Sequence, residues 1–247
     1  MTAIPAQLAT TSEAAATAPA VLAESLEKWI DDRPVLRAID FHITPGRYVA
    51  LLGANGAGKS TLLRLLSTLT TPTSGALSLF GEKSTSPSIR SRIGLIGHQS
   101  MLYRDLSARE NLEFFAKLYN IKDPAARATA LLDEVDLAHR ADDPVKSFSR
   151  GMTQRLAIAR ALVHDPELLL ADEPFDGLDA PSSRALEKLL ARLHARGKTI
   201  VLANHDIPQT LRLAERVIVL RDGAIALDQS AWNVTTEQVL AEMEQPS

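Results

Sequence analysis

Eight consecutive residues constrain this chain more than any other feature: Gly53-Ala-Asn-Gly-Ala-Gly-Lys59-Ser60 meets the pattern G-x-x-x-x-G-K-[S/T] at every specified position. The apolar run at 48–52 before it reads as a buried strand, and the run at 60–66 after it reads as a helix. A strand that turns at once into a helix needs glycines to curl the backbone. The curl leaves N–H groups and a helix N-terminus converging on one point, which is an anion site. Gly53, Ala54, Asn55, Gly56, Ala57, Gly58 and Thr61 are therefore expected around a phosphate. Lys59 is expected to reach the outer phosphates, and Ser60 to hold Mg²⁺ through its hydroxyl.

Composition narrows the rest. With 247 residues, 45% hydrophobic and 23% charged, the chain can bury a full core in one or two compact units. A net charge of −3 and a pI near 6.1, without a block of like charge, argue against a nucleic-acid face. Cysteine is absent, which excludes a disulfide framework, a thiolate metal site and a cysteine nucleophile. No apolar run approaches the roughly 18–20 residues that span a bilayer. The chain is expected to be soluble, with any membrane spans supplied by other subunits. Residues 1–20 are rich in Ala, Thr, Ser and Pro and are expected to form a disordered tail. The first basic residue is Lys28, so this tail lacks the positive start of a secretory signal and the arginines of a transit peptide.

From 21 to 80, β-like runs alternate with turn signals such as Pro45-Gly46. The pattern turns helical from about 100 to 165. Leu112, Phe115, Leu118 and Tyr119 fall on one helical face, a second amphipathic segment covers 125–135, and a third helix is expected over 151–163. Strands are then expected at 167–171, 199–203 and 216–220, with a helix over 182–195 between the first two. Asp222-Gly223 joins the last strand to a partner at 224–227 as a hairpin. A short helix over 236–243 ends the pattern, inside a C-terminal helical tail at 231–247.

The strand at 167–171 ends in Asp172-Glu173. Its end carries Asp172 to the sheet edge beside the phosphate loop, where it can orient Mg²⁺. Glu173, pointing to the other side, is placed to polarise an attacking water as general base.

Ser147-Phe-Ser-Arg-Gly-Met-Thr-Gln-Arg155, between these two motifs, opens a helix. In this order the three motifs resemble the ATP-binding cassette (ABC) ATPases over about residues 21–230. The family signature is usually Leu-Ser-Gly-Gly-Gln. Here it reads Phe148-Ser149-Arg150-Gly151-Met152, keeping the serine and the second glycine.

The resemblance implies an α/β P-loop NTPase fold with a RecA-like core, an antiparallel β subdomain and a helical subdomain. It implies ATP and Mg²⁺ as ligands, with Ser149 and Gly151 completing the ATP site of a second copy. Gln99 matches the Q-loop that senses metal and water. Asp179 matches the D-loop, His205 the switch histidine, and Trp29 the aromatic that stacks on adenine. The implied partners are a second cassette and polytopic membrane subunits at the cytoplasmic face of the inner membrane. The Gly97-His98-Gln99 stretch and 106–114 look like the ATP-binding subunit of the heme exporter of cytochrome c maturation. Drug, lipid or polysaccharide exporters, and a soluble ATPase of the iron–sulfur cluster assembly type, stay open beside it.

Overall fold

The computed structural model describes residues 18–244. The tail expected over 1–20 lies, but for its last three residues, outside them. The chain opens with β1 (Val21–Ile30), β2 (Arg33–Ile43), β3 (Tyr48–Gly53), α1 (Lys59–Leu66), β4 (Ser74–Leu79) and the short β5 (Glu82–Lys83). β6 (Ile93–Ile96) leads into a helical segment of α2 (Ala108–Leu118), α3 (Pro124–Glu134) and α4 (Arg150–Ala161). The α/β alternation returns with β7 (Leu168–Asp172), α5 (Ala180–Ala195), β8 (Thr199–Ala203) and α6 (Ile207–Leu213). It closes with β9 (Arg216–Arg221), β10 (Ala224–Ser230) and α7 (Thr236–Glu244).

Two sheets result. One is antiparallel throughout, in the order β2-β1-β4-β5. The other runs β10-β9-β3-β8-β7-β6, parallel except for β10. Its inner strands are covered on both faces, which is why they read as unbroken apolar runs. Side chains of a strand alternate between faces. Tyr48, Ala50 and Leu52 enter the core shared with the helical segment and α5, whereas Val49 and Leu51 enter the core around α1 and the antiparallel sheet. β7 splits in the same way, Leu169 and Ala171 against Leu168 and Leu170. The sheet is thus clamped from both sides, and truncating one such residue, as in Leu51→Ala, costs about 2–5 kcal/mol.

The Asp222-Gly223 turn is present between β9 and β10, with φ of 48° and 80°, the double positive φ of a hairpin whose twist matches its strands. The expected face of α2 needs correction. Its buried stripe is Ala108, Asn111, Leu112 and Ala116, and Leu118 is 62% exposed. The reason is Asn111, a polar residue that the core keeps because its amide bonds the chain on either side of Leu106. Its Oδ1 accepts from the Tyr103 N–H at 2.8 Å, and its Nδ2 donates to the Tyr103 and Ser107 carbonyls at 2.9 Å each.

Candidate functional site

The carboxyl ends of β3, β8 and β7 meet along one sheet edge. Register sets Leu51 level with Ala203, and Ala203 level with Asp172. Loops leaving that edge enclose a cavity of about 690 Å³. Asn55, Gly56, Gly58, Lys59, Ser60 and Thr61 line one side of it and Glu173 another. The tip of the β1–β2 hairpin, with Ile30, Arg33 and Val35, forms a third wall. This is the crevice in which open α/β sheets place their ligands.

The phosphate loop has the geometry its sequence requires. Gly58 caps α1 at φ +105°, and a Cβ there would fall 2.7 Å from Leu36 Cδ2 and 3.0 Å from the Val35 carbonyl oxygen. No other residue type fits. No side chain accepts from the first turn of α1, so its N–H groups and dipole stay available to an anion. Lys59 is 6% exposed, and its Nζ donates to the carbonyls of Gly53 at 2.7 Å and Ala54 at 3.0 Å. Burial pushes its ammonium below the usual lysine range, while the carboxylates of Glu173 and Asp172 act in the opposite sense. A buried cation facing acids across a cavity is held ready for a negative ligand between them.

Glu173 sits just past β7 at φ +49°, an uncommon conformation for a side chain of its size and one found at functional turns. Its N–H donates to the Ala203 carbonyl at 2.9 Å, tying it to the end of β8. Two residues past that strand, His205 Nδ1 lies 3.3 Å from Glu173 Oε2. The turn carrying His205 is fixed by a network that the sequence reading missed. Asn204 is buried, donates to Gln209 Oε1 at 3.2 Å and to Thr210 Oγ1 at 3.1 Å, and accepts from the His205 N–H at 3.0 Å. Gln209 donates onward to Ser183 and Glu187, both at 2.8 Å. The one signal for it was Asp206, a helix cap that accepts from the Gln209 N–H at 2.9 Å.

Other expected residues are not brought to the cavity. Gln99 is exposed in the loop after β6, two strands beyond the neighbours of β3, which is about 14 Å across the sheet from β3. Trp29 is 45% exposed and does not line the wall; its neighbour Ile30 does. Successive strand residues face opposite ways, and the Trp29 indole N–H is held by Glu27 of the same strand at 3.3 Å, while its backbone N–H donates to Thr73 Oγ1 at 3.1 Å. Ser149 and Asp179 are exposed caps of α4 and α5, and they accept from the Met152 and Ser182 N–H groups respectively. Gly151 is buried for a reason of its own: a Cβ there would lie 2.4 Å from Ser182 Oγ. Arg150 crosses Gly177 to pair with Asp176 at 2.9 Å.

The donor set suits a hard cation that arrives with phosphate. Ser60 and Asp172 offer oxygen atoms, and among the described residues no group of three His, Cys, Asp or Glu side chains forms a dedicated metal cage. Mg²⁺ commonly binds in this way, keeping waters and phosphate oxygens as its other ligands.

Comparison with known proteins places this geometry. The family model described as ABC transporter matches residues 36–176. A protein named Nod factor export ATP-binding protein I from Burkholderia pseudomallei is 41% identical over 204 residues, covering 81% of this chain and 67% of its own length. One of the same name from Cupriavidus metallidurans is 39% identical with the same coverage. Among solved structures, a dimeric ATP-binding cassette in a post-hydrolysis state bound to ADP and Pi superimposes with a TM-score of 0.77 at 30% identity, over 85% of this chain and 98% of that one. The cbiO1 protein of Clostridium perfringens, part of the ABC transporter complex cbiONQ, gives 0.80 at 28% identity, over 90% and 93%.

Proposed function

The chain belongs to the ABC transporter family, and on that premise we propose that it is the ATP-hydrolysing subunit driving an exporter from the cytoplasmic face of the inner membrane. The observation that carries this reading is the buried Lys59 of the phosphate loop facing Glu173 and its partner His205 at one cavity.

ATP is the substrate, and the reaction is ATP + H₂O → ADP + phosphate. The triphosphate lies along 53–61, taking N–H groups of the loop and of α1, and it replaces backbone carbonyls as the partner of the Lys59 ammonium. Adenine packs against the β1–β2 hairpin, with Trp29 as its stacking platform once the indole leaves Glu27. Ser60 and Asp172 would hold Mg²⁺, which when bound would neutralise phosphate oxygens; Gln99 would reach it only once the loop after β6 swings toward the nucleotide. Glu173 takes the proton of the attacking water, and His205 orients that carboxylate and contacts the departing phosphate.

Ser149, Gly151 and Asp179 sit at helix N-termini outside this cavity and act on the nucleotide of a second copy, so two chains clasp two ATP molecules. The dimeric cassette bound to ADP and Pi supports this arrangement. Among the described residues no helix is long and apolar enough to cross a membrane. Polytopic subunits supply the spans, as membership of cbiO1 in a transporter complex suggests, and they dock beside the Q-loop and the helical segment. The heme cargo suggested by Gly97-His98-Gln99 gives way to a different exporter type, since the matching relatives are named for Nod factor export. They likewise lend no support to an iron–sulfur assembly ATPase.

Purified chain is expected to hydrolyse Mg-ATP and to co-purify with a polytopic protein only when detergent is present. Absence of turnover, or turnover untouched by Lys59→Ala, contradicts the assignment.

A further inference from the structure

Arg150 joins two elements that, on the proposed function, serve different nucleotides. It lies in the first turn of α4, beside the Ser149 and Gly151 that act on the ATP of a second copy. Its guanidinium Nη2 donates to Asp176 Oδ2 at 2.9 Å, and Asp176 stands three residues past Glu173, the base of the chain's own site. Beside the pair is Gly177, at φ +65°, approached so closely that a Cβ there would fall 2.1 Å from Arg150 Cζ and Nη1. Any larger residue would push the guanidinium away. Glycine at 177 thus keeps the path of Arg150 open.

Stability does not account for this contact. A cation in the first turn of a helix is opposed by the macrodipole, and α4 has no acid there to offset it. Both side chains stay well exposed, at 62% and 42%, and exposed ion pairs contribute little. The usual signature has glycine at this position, which could make no such contact. What the pair fixes is a turn. The Asp176 N–H donates to the Glu173 carbonyl at 3.1 Å, and the Leu178 N–H to the Phe175 carbonyl at 3.1 Å. Phe175 is buried in the core, and the Glu173 N–H is held by the Ala203 carbonyl at 2.9 Å. The inner side of the turn is therefore anchored to the sheet. Its outer side, at Asp176 and Gly177, is held to the helical segment by Arg150. A shift there is passed to the Glu173 backbone, and with it to the carboxylate that lies 3.3 Å from His205 Nδ1.

We infer that Arg150 is a positioning residue for Glu173 of its own chain: by holding Asp176 it fixes the turn that aims the general base at the attacking water. The inference rests on the proposed hydrolysis of ATP by two copies. Arg150 itself touches no nucleotide, which separates it from its neighbour Ser149. Loss of the pair frees the turn, misplaces the carboxylate and slows the chemical step, while the phosphate loop still binds Mg-ATP.

Steady-state hydrolysis by the full chain tests this. Arg150→Ala and Asp176→Asn are each expected to lower kcat by about tenfold, with KM within about twofold and thermal unfolding within about 2 °C of the parent. The double variant is expected to lose no more than either single one, and the exchanged pair, Arg150→Asp with Asp176→Arg, to recover most of the rate. Mixing separates positioning from contact with the second copy. A trace of chain with intact Glu173 is combined with an excess of Glu173→Gln chain, so each turnover uses the base of the first and the signature of the second. Arg150→Ala is expected to slow that turnover when placed in the trace chain and to leave it unchanged when placed in the excess chain. Unchanged kcat in Arg150→Ala overturns the inference, as do losses that multiply in the double variant or an effect that follows the excess chain. Should Arg150→Ala fail to fold, unchanged kcat in Asp176→Asn overturns it instead. Failure of the underlying reading shows in the parent chain, which then does not turn over Mg-ATP, or in the Glu173→Gln variant, which then stays single with Mg-ATP. The inference falls with it.

Discussion

The phosphate loop and the start of α4 are both helix N-termini carrying glycine, yet the chain finishes them differently. At α1 the cap is Gly58, which has no side chain to give, and the lysine that follows is buried against the cavity. At α4 the cap is Ser149, whose hydroxyl already accepts from the Met152 N–H at 3.3 Å, and the next residue, Arg150, is exposed and paired with Asp176. The first end is left open inside one copy and needs an anion to satisfy it. The second is satisfied on its own, and its hydroxyl proton is still free to be donated outward. On the function proposed above, one end binds and the other completes a site in a second copy. A single chain is then expected to hold nucleotide without holding a finished catalytic centre.

Substitutions at the two helix ends and at Glu173 are expected to have separable effects. Glu173→Ala should lower turnover by about 10²–10⁴-fold while Mg-ATP still binds, since a general base acts in the transition state and not in the loop. A matching loss of affinity, measured by fluorescent nucleotide titration, would move Glu173 from chemistry to binding. Lys59→Ala should weaken Mg-ATP by about 10–100-fold through loss of a charge-assisted contact. Unchanged affinity would mean the loop is not the anion site. Ser149→Ala should cost about tenfold in turnover at high protein concentration and nothing in the nucleotide affinity of a single copy. An equal effect on both would place Ser149 in its own chain's site and erase the distinction between the two ends. The smallest effect is expected at Gly151→Ala, about 1–2 kcal/mol of stability by thermal unfolding, because the added Cβ meets Ser182 Oγ at 2.4 Å. No loss of stability there would return Gly151 to a purely functional role.

How far all this could be read beforehand follows the physics of each region. Strands β3, β7 and β8 were legible because burial on both faces writes itself as an apolar run. The β9–β10 hairpin was legible because two positive φ angles demand a pair such as Asp222-Gly223. The phosphate loop needed no more than its glycines and lysine. The face of α2 was misread, since a core amide such as Asn111 breaks the apolar pattern and hydrogen bonds, not hydrophobicity, decide its place. Strand β1 pairs with β4 across two intervening strands and a helix and shifts register several times, with Ser25 at φ 44°, so no simple alternation announces it. Asn204, Gln209 and Thr210 were invisible for a related reason: each is an ordinary polar residue until the turn after β8 bonds them to one another and Gln209 to Ser183 and Glu187 of α5.

On the proposed function, two incomplete sites become whole only against each other. Light scattering of the Glu173→Gln variant, with and without millimolar Mg-ATP, tests this directly, because nucleotide then stays bound and uncleaved. The mass is expected to double from that of one 26.8 kDa chain when Mg-ATP is added and to return to it with ADP. A variant that stays at the mass of one chain while saturated with Mg-ATP contradicts the account.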